Sequence, residues 1–265
     1  MHPRVGLHQI AFMGESTVDF LDHVADIGVR NVTLVTPRLE EAGAIEAVRD
    51  CGIPVASINH PFAIHPDLEK DSGEAAEELF HTIEMARRVH APSIYLITGG
   101  RGALSWEEAA ERFSSLIAPC ADAARAAGID LLVENASALN ADIHIAHTFT
   151  DTIRLAEQSG VGICIELHAC WAESGLYTLF RRAMPYTGLV QVSDYVLGDR
   201  TTPCRAVPGD GTIPLESLIG DILRAGYRGI FDLELIGPRI AEEGNRVATK
   251  RAAIYLSEML DRLGA

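Results

Sequence analysis

Eight short apolar runs, each followed by a longer stretch with helical periodicity, constrain this chain more than anything else in it. The runs are Val5–Ile10, Asn31–Val35, Pro54–Asn59, Ser93–Thr98, Asp130–Glu134, Gly162–Glu166, Leu189–Ser193 and Gly229–Leu235. They are nearly continuous in Val, Ile and Leu rather than alternating, the pattern of parallel strands covered on both faces. The stretches between them carry helix starts. Ser16 caps Thr17–Ile27, Asp71 or Ser72 precedes Glu74–Val89, and Ser105 with Glu108 forms an S-x-x-E capping box before Glu107–Ala127. Thr150 precedes Asp151–Gln158, Pro214 opens Leu215–Arg224, and a last helix runs from about Ala248 to Leu263. Gly28, Gly52, Gly128, Gly160 and Gly226 stand where a helix stops and turns into the next strand.

Eight strands alternating with helices predict a closed (β/α)₈ TIM barrel. An open doubly wound sheet is the competitor, but "AFMGES" after the first strand lacks the G-x-G-x-x-G phosphate loop of that fold. The chain has 265 residues, close to the roughly 250 such a barrel needs. No linker or low-complexity tract divides it, so residues 1–265 read as a single α/β domain.

Charge narrows the partners. Lys plus Arg total 22 against 37 Asp plus Glu, a net charge of −15, whereas a nucleic-acid binder needs clustered cations. The five cysteines, Cys51, Cys120, Cys164, Cys170 and Cys204, contain no C-x-x-C pair and suggest no disulfide framework. His8 and Gln9 interrupt any leader-like apolar run, and no stretch reaches the length of a membrane span. The expectation is a cytoplasmic protein acting on a small molecule, alone or as a homo-oligomer, with neither nucleic acid nor membrane as partner.

A barrel of this kind builds its active site at the C-terminal ends of its strands. Glu134 ends the fifth strand, Glu166 the sixth; Gln191 lies on the seventh and Glu234 on the eighth. One such glutamate alone could cap a helix or pair with an arginine. Several converging on one mouth would repel one another, and a divalent cation resolves that conflict. Four oxygen donors favour a hard ion such as Mg²⁺ or Mn²⁺.

These residues carry a resemblance. Through "LLVENAS", "GVGICIELHACW", "LVQVSDY", "RAVPGDGTIPL" and "GYRGIFDLEL" the chain resembles the xylose isomerase-like TIM barrel superfamily, which includes sugar phosphate isomerases and epimerases. The resemblance implies Glu, Asp, His and Glu at the ends of strands five to eight as ligands of one metal. Glu134 and Glu234 match the two glutamates, Glu166 stands for the Asp, and Gln191 stands for the His. Some dehydroshikimate dehydratases of the superfamily are similar in placing Gln there. The apurinic-site endonucleases, with their many histidines on a multi-metal cluster, are not matched.

Further residues fall near the expected mouth. His60 follows strand three, His168 follows Glu166 by two, and Arg205 lies in the long loop after strand seven, a free cation for a substrate anion or a partner for a surface acid. Trp171 is placed to wall the pocket. His8, inside strand one, reads equally as a substrate contact or a core histidine. His144 and His147 read as loop residues open to solvent; His23, His81 and His90 as structural or exposed helix residues. The reaction expected is isomerisation or epimerisation of a small polyhydroxy ketone or sugar. Glu134 and Glu234 would move the proton alpha to a carbonyl, with a metal-stabilised enediolate between. Dehydration, or polyol binding without turnover, are the alternatives.

Overall fold

The computed structural model describes all residues, Met1–Ala265, and its sheet closes on itself in the order β1-β2-β3-β4-β5-β6-β7-β8. The strands are β1 (Val5–His8), β2 (Asn31–Val35), β3 (Val55–Pro61), β4 (Ser93–Ile97), β5 (Asp130–Glu134), β6 (Gly162–Glu166), β7 (Thr187–Val192) and β8 (Phe231–Leu233). Every neighbouring pair is parallel, including β1 with β8, so no edge is left unpaired. The helices are α1 (Thr17–Ile27), α2 (Thr36–Leu39), α3 (Ala44–Cys51), α4 (Glu74–Arg88), α5 (Trp106–Ala126), α6 (Phe149–Ser159), α7 (Leu167–Cys170), α8 (Leu176–Ala183), α9 (Leu215–Arg224), α10 (Pro238–Glu243) and α11 (Asn245–Leu263). The chain is one (β/α)₈ barrel, as its alternation predicts.

Local chemistry sets the helix ends. The Ser16 hydroxyl accepts from Asp19 N–H, and the Ser105–Glu108 capping box is complete, both bonds being present. At α4 the Asp71 carboxylate accepts from Gly73 and Ala75 N–H, so Asp71 rather than Ser72 satisfies the first turn. The cap of α6 is Thr148, two residues before the expected Thr150. Gly28 closes α1 at φ 72°, a left-handed conformation that glycine adopts without steric cost.

Two apolar layers hold the barrel. The larger lies between the sheet and its helices, with Leu7, Leu34, Ile58, Leu96, Val133, Ile165, Val190 and Leu233 facing Phe20, Phe113, Phe149 and Phe180. The smaller fills the barrel itself with Tyr95, Leu132, Cys164 and Leu189. Gly162 and Gly188 leave room for it: a Cβ at either would come within 3 Å of Leu132 side-chain atoms. Because side chains alternate along a strand, this inner layer identifies the inward positions. Parallel register then assigns Asn59, beside Tyr95, to the inside and His60, beside Leu96, to the outside. Glu134 lies beside Cys164, and Glu166 beside Gln191, which lies beside Asp232. No helix is long and apolar enough to cross a membrane, and all five cysteines are free.

Candidate active site

The upper end of the barrel gathers three buried carboxylates. One oxygen each of Glu134, Glu166 and Glu234 lie within 4.8 Å of one another. Asn135 ties the strands that carry the first two: its Nδ2 donates to Glu166 O at 2.8 Å and its Oδ1 accepts from Glu166 N–H at 2.9 Å. The Arg205 guanidinium reaches into the cluster, with Nη2 donating to Glu166 Oε2 at 2.6 Å and to Glu234 Oε2 at 2.8 Å. The surface acid expected as the alternative partner of Arg205 is not what it meets: its partners are the buried acids of the site itself.

The loop after β7 makes this reach possible. Asp194 and Ala206 exchange backbone hydrogen bonds, and Arg205 N–H donates to Ile236 O. The Asp194 carboxylate accepts from Tyr195, Gly209, Gly211 and Ile213 N–H at 2.8–3.1 Å, so the "PGDG" turn is wrapped around one buried anion. A Cβ on Gly211 would stand 2.2 Å from Asp194 Oδ1, which is why the turn needs glycine there. Asp194→Asn would aim an NH₂ group at backbone donors. A stability loss of about 2–3 kcal/mol is expected in urea unfolding, because a buried donor left unpaired costs that much. A loss below about 0.5 kcal/mol would mean that the loop holds itself without the anion.

Histidines complete the wall. His168 lies on the short helix α7, which Glu166 caps by accepting His168 N–H at 2.7 Å. The strand spacing expected for Glu166 and His168 is thus replaced by a helical turn, yet the two residues still meet through Arg205. Arg205 Nη1 lies 3.2 Å from His168 Nδ1, and a guanidinium has no acceptor, so it donates and leaves the proton of the neutral ring on Nε2. Burial, then Arg205, lowers the His168 pKa to about 3. Tyr195 packs edge-on against this ring, and Trp171 lies 6.2 Å from Tyr195, forming the outer wall. His8 Nδ1 accepts from Ile10 N–H, so its Nε2 donates to Tyr95 Oη at 2.7 Å. The hydroxyl proton of the fully buried Tyr95 remains free for another acceptor.

Two expectations change. His144 is buried, not solvated: its Nδ1 lies 3.2 Å from Thr98 Oγ1 and its Nε2 3.7 Å from Glu134 Oε2. Sequence reasoning missed it because a loop histidine carries no periodic signal. His60 joins none of the hydrogen bonds of the carboxylate cluster. It projects outward from β3, where Nδ1 meets Thr82 of α4 at 2.9 Å and Thr36 at 3.3 Å. Burial lowers its pKa to about 4 from the ordinary 6.5. A depressed histidine favours folding above pH 6.5, where both states are neutral, and that contribution is lost as pH falls towards 4. His60→Gln is therefore expected to flatten the acid loss of stability by about 3 kcal/mol between pH 7 and pH 4. Parallel unfolding curves for the two proteins across that range would refute this.

The electrostatics of the cluster are unbalanced. Burial and the neighbouring Glu234 and Glu166 push the Glu134 carboxyl well above its usual range. In the Glu166–Glu234 pair, burial lifts Glu166 while Arg205 holds Glu234 down. If all three carboxylates ionise, they and the one guanidinium carry a formal charge of −2 in a buried site; without a cation the raised Glu134 and Glu166 carboxyls relieve it by keeping protons. A divalent cation is the group that balances it. Gln191 faces inward beside Glu166, with Nε2 unpartnered and Oε1 accepting from Cys164 Sγ at 3.3 Å. The donor set is therefore three carboxylates that fit a divalent ion, with the Gln191 amide next to them.

A sequence profile of the xylose isomerase-like TIM barrel family matches residues 21–258, and the chain belongs to that family. No curated protein matches it in sequence. Among solved structures it is similar to an IolI protein with a bound zinc atom (14% identity, TM-score 0.84, covering 98% of this chain and 99% of that one). It is also similar to an L-ribulose 3-epimerase (17%, 0.76, 100% and 96%). A third is the probable 3-DHS dehydratase AsbF of petrobactin synthesis from Bacillus anthracis (12%, 0.77, 96% and 98%). At these identities the likeness is one of fold.

Proposed function

We propose that this protein is a divalent-metal-dependent isomerase or epimerase of a small, uncharged polyhydroxy ketone or sugar. The observation that carries the reading is the convergence of Glu134, Glu166 and Glu234 within 4.8 Å at the barrel mouth with Arg205 as their cationic partner, a cluster that would carry −2 when fully ionised and that a dication would balance. Mn²⁺ or Mg²⁺ would be held by the three glutamates with Gln191 completing the set, and would polarise a substrate carbonyl so that the neighbouring C–H becomes acidic.

The remaining work belongs to side chains. Glu134 and Glu234, on β5 and β8, flank the site and would take a proton from carbon on one side and return it on the other. Arg205 and the Nε2–H of His168 would hold substrate oxygens; His8, through Tyr95, would orient a hydroxyl beneath them. His60, on the outer face of β3, is assigned no part. Trp171 and Tyr195 would limit access of water.

The same charge balance argues against a carboxylate-bearing substrate of the dehydroshikimate type. Once a dication is bound the site is formally neutral, and Arg205 is shared between Glu166 and Glu234 rather than free to clamp an anion. The test is a Mn²⁺ titration followed by incubation with a panel of ketoses in D₂O, read by NMR. Metal-dependent deuterium uptake alpha to the carbonyl is expected. Tight metal binding with no exchange in any ketose would leave a polyol-binding barrel, and turnover confined to anionic keto acids would favour the lyase reading.

A further inference from the structure

The loop after β5 is clamped against the end of β4. Gly99 N–H donates to Ile143 O at 2.9 Å, Ile145 N–H to Thr98 Oγ1 at 3.0 Å, and Trp106 Nε1–H to Ile145 O at 2.9 Å. A Cβ on Gly100 would stand 2.2 Å from Asp142 O, so glycine is what lets the two segments lie this close. The clamp carries His144 into the mouth, where the reaction proposed above gives it no part. His144 is 2% exposed, and its Nε2 has no hydrogen-bond partner. That nitrogen faces the carboxylate cluster, 3.7 Å from Glu134 Oε2. Glu134 is in turn the one acid of the three that Arg205 does not bond, since its Nη2 donates to Glu166 and Glu234.

The protonation of the His144 ring follows from Thr98, whose Oγ1 lies 3.2 Å from Nδ1. The single hydroxyl proton of Thr98 goes to Gly99 O at 3.1 Å, a buried carbonyl to which no other group donates. Oγ1 is then an acceptor for Ile145 N–H and for the imidazole alike, so Nδ1 carries the ring proton. What Nε2 presents to Glu134 is a lone pair. Two acceptors facing each other in a buried site are unfavourable unless a proton lies between them. The ring has none to offer there, so the proton has to be one that Glu134 holds.

We propose that His144 is the positioning residue of Glu134, a neutral acceptor whose Nε2 receives the hydrogen bond of the Glu134 carboxyl whenever that group holds a proton. The role rests on the proton-moving part given to Glu134 above. When Glu134 takes a proton from carbon, the C–H electron pair stays on the substrate and the new O–H turns towards Nε2. Handing the proton back reverses the turn. The imidazole itself gains and loses nothing, because its own proton stays on Nδ1 against Thr98. Arg205 aims Glu166 and Glu234; His144 aims Glu134, with one oxygen towards the ring and the other left for the ion or the substrate. A hydrogen bond of this kind is worth up to about tenfold in a rate.

Long-range ¹H–¹⁵N NMR of the metal-free, full-length protein reads the ring directly, with His144 assigned by the resonances that His144→Phe removes. The Nδ1–H form is expected, with an Nε2 resonance that moves towards that of a free imidazole nitrogen in Glu134→Leu, which has no proton to donate. Thr98→Val keeps the imidazole but removes its anchor, and should shift the ring towards the Nε2–H form; it serves as the second variant should His144→Phe fold poorly. On a ketose that takes up deuterium with the unmodified protein and Mn²⁺, both variants are expected to lower kcat by about tenfold and to leave KM and Mn²⁺ affinity within about twofold. A merely structural role would move KM, metal affinity and melting temperature together with kcat. An Nε2–H ring, an Nε2 resonance unmoved by Glu134→Leu, or full turnover in His144→Phe overturns the proposal. If no ketose exchanges with the unmodified protein, the reading of the mouth fails, and the ring resonances still decide whether Nε2 accepts from Glu134.

Discussion

Arg205→Met should lower the metal-free stability of this protein by about 3–5 kcal/mol, the cost of stripping a buried charge of its partner. Arg205 supplies the one positive charge among Glu134, Glu166 and Glu234, at 2.6 Å from Glu166 and 2.8 Å from Glu234. Its guanidinium is held charged by those two acids against its own burial. Methionine keeps much of the side-chain volume, so the loss reports charge rather than a cavity. For a domain of this size the melting temperature should fall by roughly 6–15 °C in EDTA. Saturating Mn²⁺ should return most of that fall, because the ion brings two positive charges to the same carboxylates. The measurement is thermal unfolding of both proteins, with and without Mn²⁺. An equal loss in both conditions would show that Arg205 stabilises independently of the dication, through packing; no rise in melting temperature with Mn²⁺ in either protein would show that the cluster has no affinity for it.

The barrel was legible because its signals are local. The bounds of β2, β5, β6, α1 and α9 coincide with the apolar runs and caps that predict them. Strand ends were less so: Gln9–Phe12 turns into a 3₁₀ helix beyond β1, since a barrel strand ends where its register ends and not where apolar residues run out. The three glutamates could be placed at one mouth because the fold itself brings strand ends together. What a side chain touches depends on register and on loops. The pairing of His60 with Leu96 puts His60 on the outer face, which the sequence "SINHPF" does not reveal. Glu166 ends β6 and at once caps a short helix, so His168 meets Arg205 by a route that strand alternation does not describe. His144 becomes buried only when its loop folds over Thr98, and Asp194 becomes an anchor only when residues 209–213 wrap around it.

The roles proposed for the glutamates separate in kinetics. Glu134 and Glu234 come from β5 and β8, and Glu166 lies on β6 between them in the strand order. As acid and base, Glu134 and Glu234 each contribute a proton transfer that an amide cannot make. Glu134→Gln and Glu234→Gln are expected to lower turnover by about 10²–10⁴, the usual yield of a general acid or base. The amide oxygen still coordinates, so Mn²⁺ affinity should fall far less than activity. Glu166 is tied up differently: one oxygen caps α7 through His168 N–H, and the other accepts from Arg205. Its share would be to hold the ion, so Glu166→Gln should weaken Mn²⁺ binding and recover most of its turnover at high Mn²⁺. All three variants would be assayed on a substrate identified by deuterium exchange, across a Mn²⁺ titration. If Glu166→Gln stayed inactive at saturating metal while either of the other variants kept near-normal turnover, the proton would be moving through Glu166 beside Arg205, and the assignment of roles would have to be reversed.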